Sequence, residues 1–180
     1  PGALLTGRSG GIWIAPEPMG LEFFERRQYH TVRTGIPRIH TDTLATLGPE
    51  TLLVGSRTVP RVSLIPTGSQ PLHLAEPEKI DPPDDLGGYF SALESTPNAL
   101  LGASGSRVLR FDPASGEATE LVDLKGPPIR ALHLDRQGDL WITTFGSGLY
   151  RVRHVTGDQN RELDHWGTRQ GLPDRFLGWV

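Results

Sequence analysis

Four short apolar segments recur along the chain: Gly11-Ile12-Trp13-Ile14-Ala15, Thr51-Leu52-Leu53-Val54-Gly55, Ala99-Leu100-Leu101-Gly102-Ala103 and Asp139-Leu140-Trp141-Ile142-Thr143. Their third positions, Trp13, Leu53, Leu101 and Trp141, lie 40, 48 and 40 residues apart. Apolar runs this short, bounded by Gly, Pro, Asp and Ser, predict strands rather than helices. A second strand follows each one: Gly20-Leu21-Glu22-Phe23-Phe24, Arg61-Val62-Ser63-Leu64-Ile65, Arg107-Val108-Leu109-Arg110-Phe111 and Gly148-Leu149-Tyr150-Arg151-Val152. The fourth and last strand of the unit is visible at 29–33, 118–123 and 162–166. Gly35-Ile36-Pro37, Gly126-Pro127-Pro128 and Gly171-Leu172-Pro173 then announce the next unit.

The best-preserved unit spans residues 129–166. Its first strand alternates Ile129, Ala131 and His133 against Arg130, Leu132 and Leu134, the period of a pleated strand. Asp135-Arg136-Gln137-Gly138 predicts a hairpin, with Asp135 accepting backbone amides and Gly138 free to take positive φ. No segment sustains a 3.6-residue period. Four short strands in about 40–45 residues make one propeller blade. The predicted fold class is therefore all-β: a β-propeller region of about four four-stranded blades, at approximately 1–34, 41–75, 88–124 and 128–167. A further blade is expected to start over 174–180, within a larger propeller of about six to eight blades. The second repeat lacks a Trp, and its eight extra residues are placed in a Pro- and Asp-rich connection at 76–88.

Composition sharpens this picture. Gly (22) and Pro (16) make up more than a fifth of the 180 residues, which suits many tight turns. A net charge of −3 argues against nucleic acid or anionic membrane as a partner, since both call for a basic footprint. Cysteine is absent, which excludes disulfides and thiolate metal sites and suits an oxidising compartment. No run of about 18 apolar residues occurs, so no direct insertion of these residues into a membrane as a helix is expected. No secretory leader pattern is visible either. The opening Pro1-Gly2-Ala3-Leu4-Leu5-Thr6 reads as a strand already under way and Phe176-Leu177-Gly178-Trp179-Val180 as another beginning, so both ends are expected to continue.

The string Leu134-Asp135-Arg136-Gln137-Gly138-Asp139-Leu140-Trp141-Ile142-Thr143-Thr144, then Gly148-Leu149-Tyr150-Arg151-Val152 and Gly171-Leu172-Pro173-Asp174, closely resembles the two-component regulator propeller repeat. That family's pattern runs D-x-x-G-x-L-W-I-G-T, G-L-x-R and G-L-P; Thr143 stands where the family usually has Gly. Gly10-Gly11-Ile12-Trp13-Ile14, Gly20-Leu21 and Gly35-Ile36-Pro37 resemble it again, while the second and third repeats match only in outline. The resemblance implies a periplasmic ligand-sensing propeller of a membrane-bound protein whose output module is a histidine kinase, often hybrid, or a diguanylate cyclase. On that reading this region is itself no enzyme, needs no cofactor, and takes a small-molecule or oligosaccharide ligand.

Several residues admit a chemical reading beside a structural one. Trp13 and Trp141 could stack a ligand, but a Trp recurring at one strand position ordinarily packs between sheets. Asp135-Arg136-Gln137-Gly138 with Trp141 also resembles the turn of sialidase-like propellers, itself a structural device. His30, His40, His73, His133, His154 and His165 show no ligand spacing. Asp81, Asp84 and Asp85 lack the alternation of a calcium loop. No catalytic or metal residues are assigned. Connections between the second and third strands, and between blades, emerge on one face, where binding concentrates. Arg38, His40, Arg57, Tyr89, Arg130 and Arg175 in or beside them are the ligand candidates, because planar and aromatic groups suit sugars and carboxylates. A streptogramin lyase-like enzyme is the alternative; it needs a His and a Glu converging on the channel, and His133, its one candidate, has no partner legible in sequence. A plain protein-interaction scaffold is a third reading. Exposed edges of an open arc would be covered by further blades or by a second copy, so a homodimer is also an expectation.

Overall fold

The computed structural model describes residues 3–6, 11–15, 21–25, 28–32, 41–47, 51–56, 62–66, 78–80, 90–96, 99–112, 117–157 and 161–178. Among them are sixteen strands forming four four-stranded antiparallel sheets, each a simple meander in chain order. The fold is all-β and each sheet is a propeller blade. The chain divides into two compact units, Pro1–Phe90 and Ser91–Val180.

In the first unit, β1 (Ala3–Thr6), β2 (Ile12–Ala15), β3 (Leu21–Glu25) and β4 (Gln28–Val32) make blade one. Blade two comprises β5 (Thr41–Leu47), β6 (Thr51–Ser56), β7 (Val62–Pro66) and β8 (Glu78–Ile80). Trp13 is opposite Phe23 in the β2–β3 ladder, with ring centroids 4.5 Å apart. These two rings and Leu5 pack onto Leu44, Leu52, Val54 and Ile65 of the next blade. Strand β8 falls where the sequence reading placed a connection, so blade two runs past residue 75. Glu78-Lys79-Ile80 is a three-residue strand with two charged members, and an edge strand that short carries no apolar signature.

In the second unit, β9 (Ala92–Ser95), β10 (Leu100–Ser104), β11 (Arg107–Phe111) and β12 (Ala118–Asp123) make blade three. Blade four is β13 (Ile129–Leu134), β14 (Leu140–Thr144), β15 (Leu149–Val152) and β16 (Leu163–Trp166). Leu101, Ala103, Val108 and Leu121 of blade three share a core with Ile129, Leu132, Leu140, Ile142 and Val152 of blade four. Burying one such aliphatic side chain is worth about 1.5–3 kcal/mol, so blade-to-blade packing is the main source of stability here.

The four repeat positions differ in one respect. Trp13, Leu53 and Leu101 are buried, whereas Trp141 remains half-exposed. Strand β13 also departs from strict alternation. It pairs Ile129 with Thr144 and Ala131 with Thr143, so Arg130 is the extra residue of a β-bulge. The bulge lets Ile129 and Leu132 enter the same core, and His133 is exposed.

Candidate functional site

One end of blade four is a structural clamp. Asp135 Oδ1 accepts from the backbone amides of Gln137 and Asp139, both at 2.9 Å, and its Oδ2 accepts from Trp141 Nε1 at 2.9 Å. These donors, the indole first, hold the Asp135 carboxyl below its ordinary range. Gly138 closes the turn with φ 83°. Trp141 is thus half-exposed because its indole nitrogen is committed to the turn, and its ring stacks on Trp166 at 5.6 Å. The Arg151 guanidinium lies 5.3 Å from the Trp141 ring and 5.4 Å from Trp166. It donates to Asp164 Oδ2 through Nε (2.9 Å) and a terminal nitrogen (2.6 Å). Arg153 Nε donates to the same oxygen at 2.9 Å, and these two cations keep Asp164 ionised below its usual range. Every member of this set is satisfied, so the cluster is a fastening rather than a site.

The opposite end of the blade is built differently. The bulge at Arg130 re-aims its side chain, and the guanidinium stands 5.3 Å from the centroid of the Phe145 ring. Phe145 begins the β14–β15 connection, which is fixed on every side. Its amide donates to Pro128 O at 2.9 Å. Thr144 Oγ1 donates to Gly148 O and accepts from Ser147 N, each at 3.0 Å. Gly148 N donates to Arg175 O at 3.0 Å, tying in the chain that follows the blade. His165 Nε2 lies 2.6 Å from Ser147 O, and its ring stacks on Tyr150 at 4.2 Å. Gly148 is required by its φ of 86° and because a Cβ there would run into the Trp166 carbonyl.

The chain then passes through a single 3-10 turn at Thr168–Gln170 and returns, so that Phe176 forms an antiparallel bridge with Phe145. The two rings meet edge to face, 5.8 Å apart at 85°. Both remain more than half exposed, Phe145 at 55% and Phe176 at 54%. A guanidinium and two exposed aromatic rings are therefore gathered on a corner whose backbone hydrogen bonds are already made. Rigid presentation lowers the ordering cost of binding.

A second juxtaposition lies between the first strands of blades three and four. Glu94 on β9 feels the charge of His133 on β13. Burial pushes its carboxyl above the ordinary range, against the lowering effect of the Ser95 amide, His133 and the Leu134 amide. Sequence reasoning found His133 without a partner, because Glu94 sits about 40 residues earlier with no motif around it.

Of the six ligand candidates, Arg130 and Arg175 fall on the braced corner, both exposed, with Arg130 contributing its side chain and Arg175 its carbonyl. Arg38, His40, Arg57 and Tyr89 lie outside the described residues, as do Asp81, Asp84 and Asp85. Phe145 and Phe176 were missed. The connection itself was legible from Gly146 and Gly148, but nothing local signals that an aromatic ring at its tip stays in solvent.

Four-stranded meandering blades, packed in a pair within each unit, define the class of a propeller fold. More specifically, residues 123–146, which run from the end of β12 through the clamp to the tip of the corner, match the two component regulator propeller family. In structure the chain is similar to the extracellular domain of BT4673 from B. thetaiotaomicron, described as a one component system in one structure and as a hybrid two component system in another. The TM-score is 0.71 in both, at 19% and 18% identity, covering 97% of this chain and 23% of that one. It is also similar to virginiamycin B lyase from Staphylococcus aureus in a catalytically inactive form with quinupristin (TM-score 0.71, 15% identity, 91% of this chain and 54% of that one). The WD40 repeats of RRP9 give a TM-score of 0.71 at 12% identity, over 92% of this chain and 50% of that one. At these identities the likeness concerns the fold. The chain spans between about a quarter and half of these neighbours. No curated protein matches it in sequence.

Proposed function

We propose that the chain is the ligand-sensing propeller region of a signal-transduction protein, binding a small molecule or an oligosaccharide and catalysing nothing itself. The observation that carries this reading is the braced corner of blade four. It presents Arg130, Phe145 and Phe176 to solvent on the face where inter-blade and β14–β15 connections meet. The repeat match over 123–146 supports a two-component context, and the likeness to an extracellular domain supports a location outside the cytoplasm. A membrane-bound parent with a kinase or cyclase output is the corresponding whole-protein proposal. The test is a calorimetric screen of the chain against small metabolites and neutral and acidic oligosaccharides. A ligand whose affinity falls in Phe145→Ala supports sensing at this corner, and binding indifferent to that substitution refutes it. Sequencing the parent gene through its 3′ end tests the signalling context: a membrane helix followed by kinase or cyclase motifs supports it, and a short chain without them sinks it.

One observation favours the lyase-like alternative, namely that Glu94 lies within electrostatic reach of His133. Glu94 is directed at the Ser95 and Leu134 amides, and no ion pair joins it to His133 among the described residues. Retention of full ligand turnover by His133→Ala, should any turnover be found, would dispose of that reading.

A further inference from the structure

From the chemistry of the same corner we infer that its ligand is a monocarboxylate carried on a flat apolar ring. This rests on the corner being a ligand site and adds the class of molecule it takes. Arg130 is exposed and makes no ion pair among the described residues, unlike Arg151 and Arg153, which share Asp164 at 2.6 and 2.9 Å. Its guanidinium stands 5.3 Å from the centroid of the Phe145 ring, on the residue that the bulge adds to β13, and its N–H groups make no hydrogen bond among the described residues. A carboxylate matches the planar fork of a guanidinium with two parallel hydrogen bonds.

Beside it, the edge-to-face pair of Phe145 and Phe176 offers an apolar surface for a ring, and aromatic rings prefer offset or edge contacts of this kind. A multiply charged anion fits less well. Arg130 stands against the Phe145 ring, exposed Arg175 is a second cation in the returning segment, and Asp174, whose Oδ1 accepts from Phe176 N at 3.0 Å, places a carboxylate next to it in the chain. The region thus combines two guanidinium groups, one carboxylate and two rings, a balance of one positive charge, which selects a single carboxylate on a flat body.

The probe is 4-fluorophenylacetate, followed by fluorine NMR on the intact 180-residue chain, with neutral 4-fluorobenzyl alcohol as comparator. The acid is expected to bind at least about tenfold more tightly than the alcohol, and Arg130→Gln and Phe145→Ala each to weaken it about tenfold, the ordinary size of a lost anchoring contact. Arg130→Lys, which keeps charge but loses the fork, should fall between. Arg130→Gln and Phe145→Ala change exposed groups, and circular dichroism checks that both variants keep their strands. Equal binding of acid and alcohol, or an acid affinity unchanged in Arg130→Gln, overturns the carboxylate assignment while leaving the corner as a site. Absence of any shift or broadening of either probe's fluorine signal on adding the chain overturns the corner itself.

Discussion

Replacing Thr143 by Val should make the protein more stable. Thr143 is completely buried on β14, opposite Ala131 and Leu149, and its hydroxyl has no hydrogen-bond partner among the described residues. A buried hydroxyl without a partner costs about 1–3 kcal/mol, and Val keeps the branched shape while removing it. Part of that gain is lost to imperfect packing of the new methyl, so about 1 kcal/mol is a reasonable net value. For a chain of 180 residues this raises Tm by about 2–4 °C. Urea unfolding followed by tryptophan fluorescence gives the same quantity as a shift in midpoint at constant slope. Thr143→Ser keeps the hydroxyl and removes the methyl, and should be less stable than the parent by about 1 kcal/mol. The order Val, Thr, Ser from most to least stable is the signature of an unsatisfied hydroxyl. A Val variant less stable than the parent would mean that Thr143 has a partner, and the reasoning would fail.

Three other perturbations probe the fastenings. Ala at Gly148 combines positive φ with a collision against the Trp166 carbonyl, whereas Gly171, at φ 100°, has open space around it. Gly171→Ala should therefore cost about 1 kcal/mol and Gly148→Ala about 3 kcal/mol, read from chemical denaturation. Glu94→Gln should stabilise at pH 7 and do nothing below pH 4. The buried carboxyl has a raised native value, so its favourable contribution is complete below the unfolded value and is lost as pH rises through the native one. Unfolding at the two pH values separates the cases. Trp141→Phe should raise the Asp135 titration in NMR, since the indole N–H is the first of the groups that lower it. Asp135 stabilises above its unfolded value and loses that contribution as pH falls through the folded one, so acid opening of the turn should begin at higher pH in the variant.

Much of this fold was legible in the sequence because a propeller writes its period in short apolar strands. Strands β2, β6, β10 and β14 fall within a residue or two of the recurring segments around Trp13, Leu53, Leu101 and Trp141. The Asp135 turn was legible because an Asp three residues before a Gly states its own hydrogen bonding. Strand β8 was not, since Glu78 and Lys79 are ordinary connection residues until a neighbouring strand pairs with them. Nor was the bulge at Arg130, where the run of apolar and polar residues fits unbroken pairing and only the register reveals the extra residue. The candidate site was half legible. Topology pointed to Arg130 and Arg175, but the exposure of Phe145 and Phe176 depends on a bridge between segments about 30 residues apart.

The bracing of the corner bears on how such a domain can change over time. Every hydrogen bond that fixes the turn from Thr144 to Gly148 uses the backbone, the Thr144 hydroxyl, Ser147, Tyr150 or His165. None uses the side chain of Arg130, Phe145 or Phe176. The residues proposed to meet a ligand are thus free to vary without disturbing the residues that hold the loop, and selection on specificity can proceed almost independently of selection on folding. A lineage could retarget this corner one side chain at a time, each intermediate remaining folded.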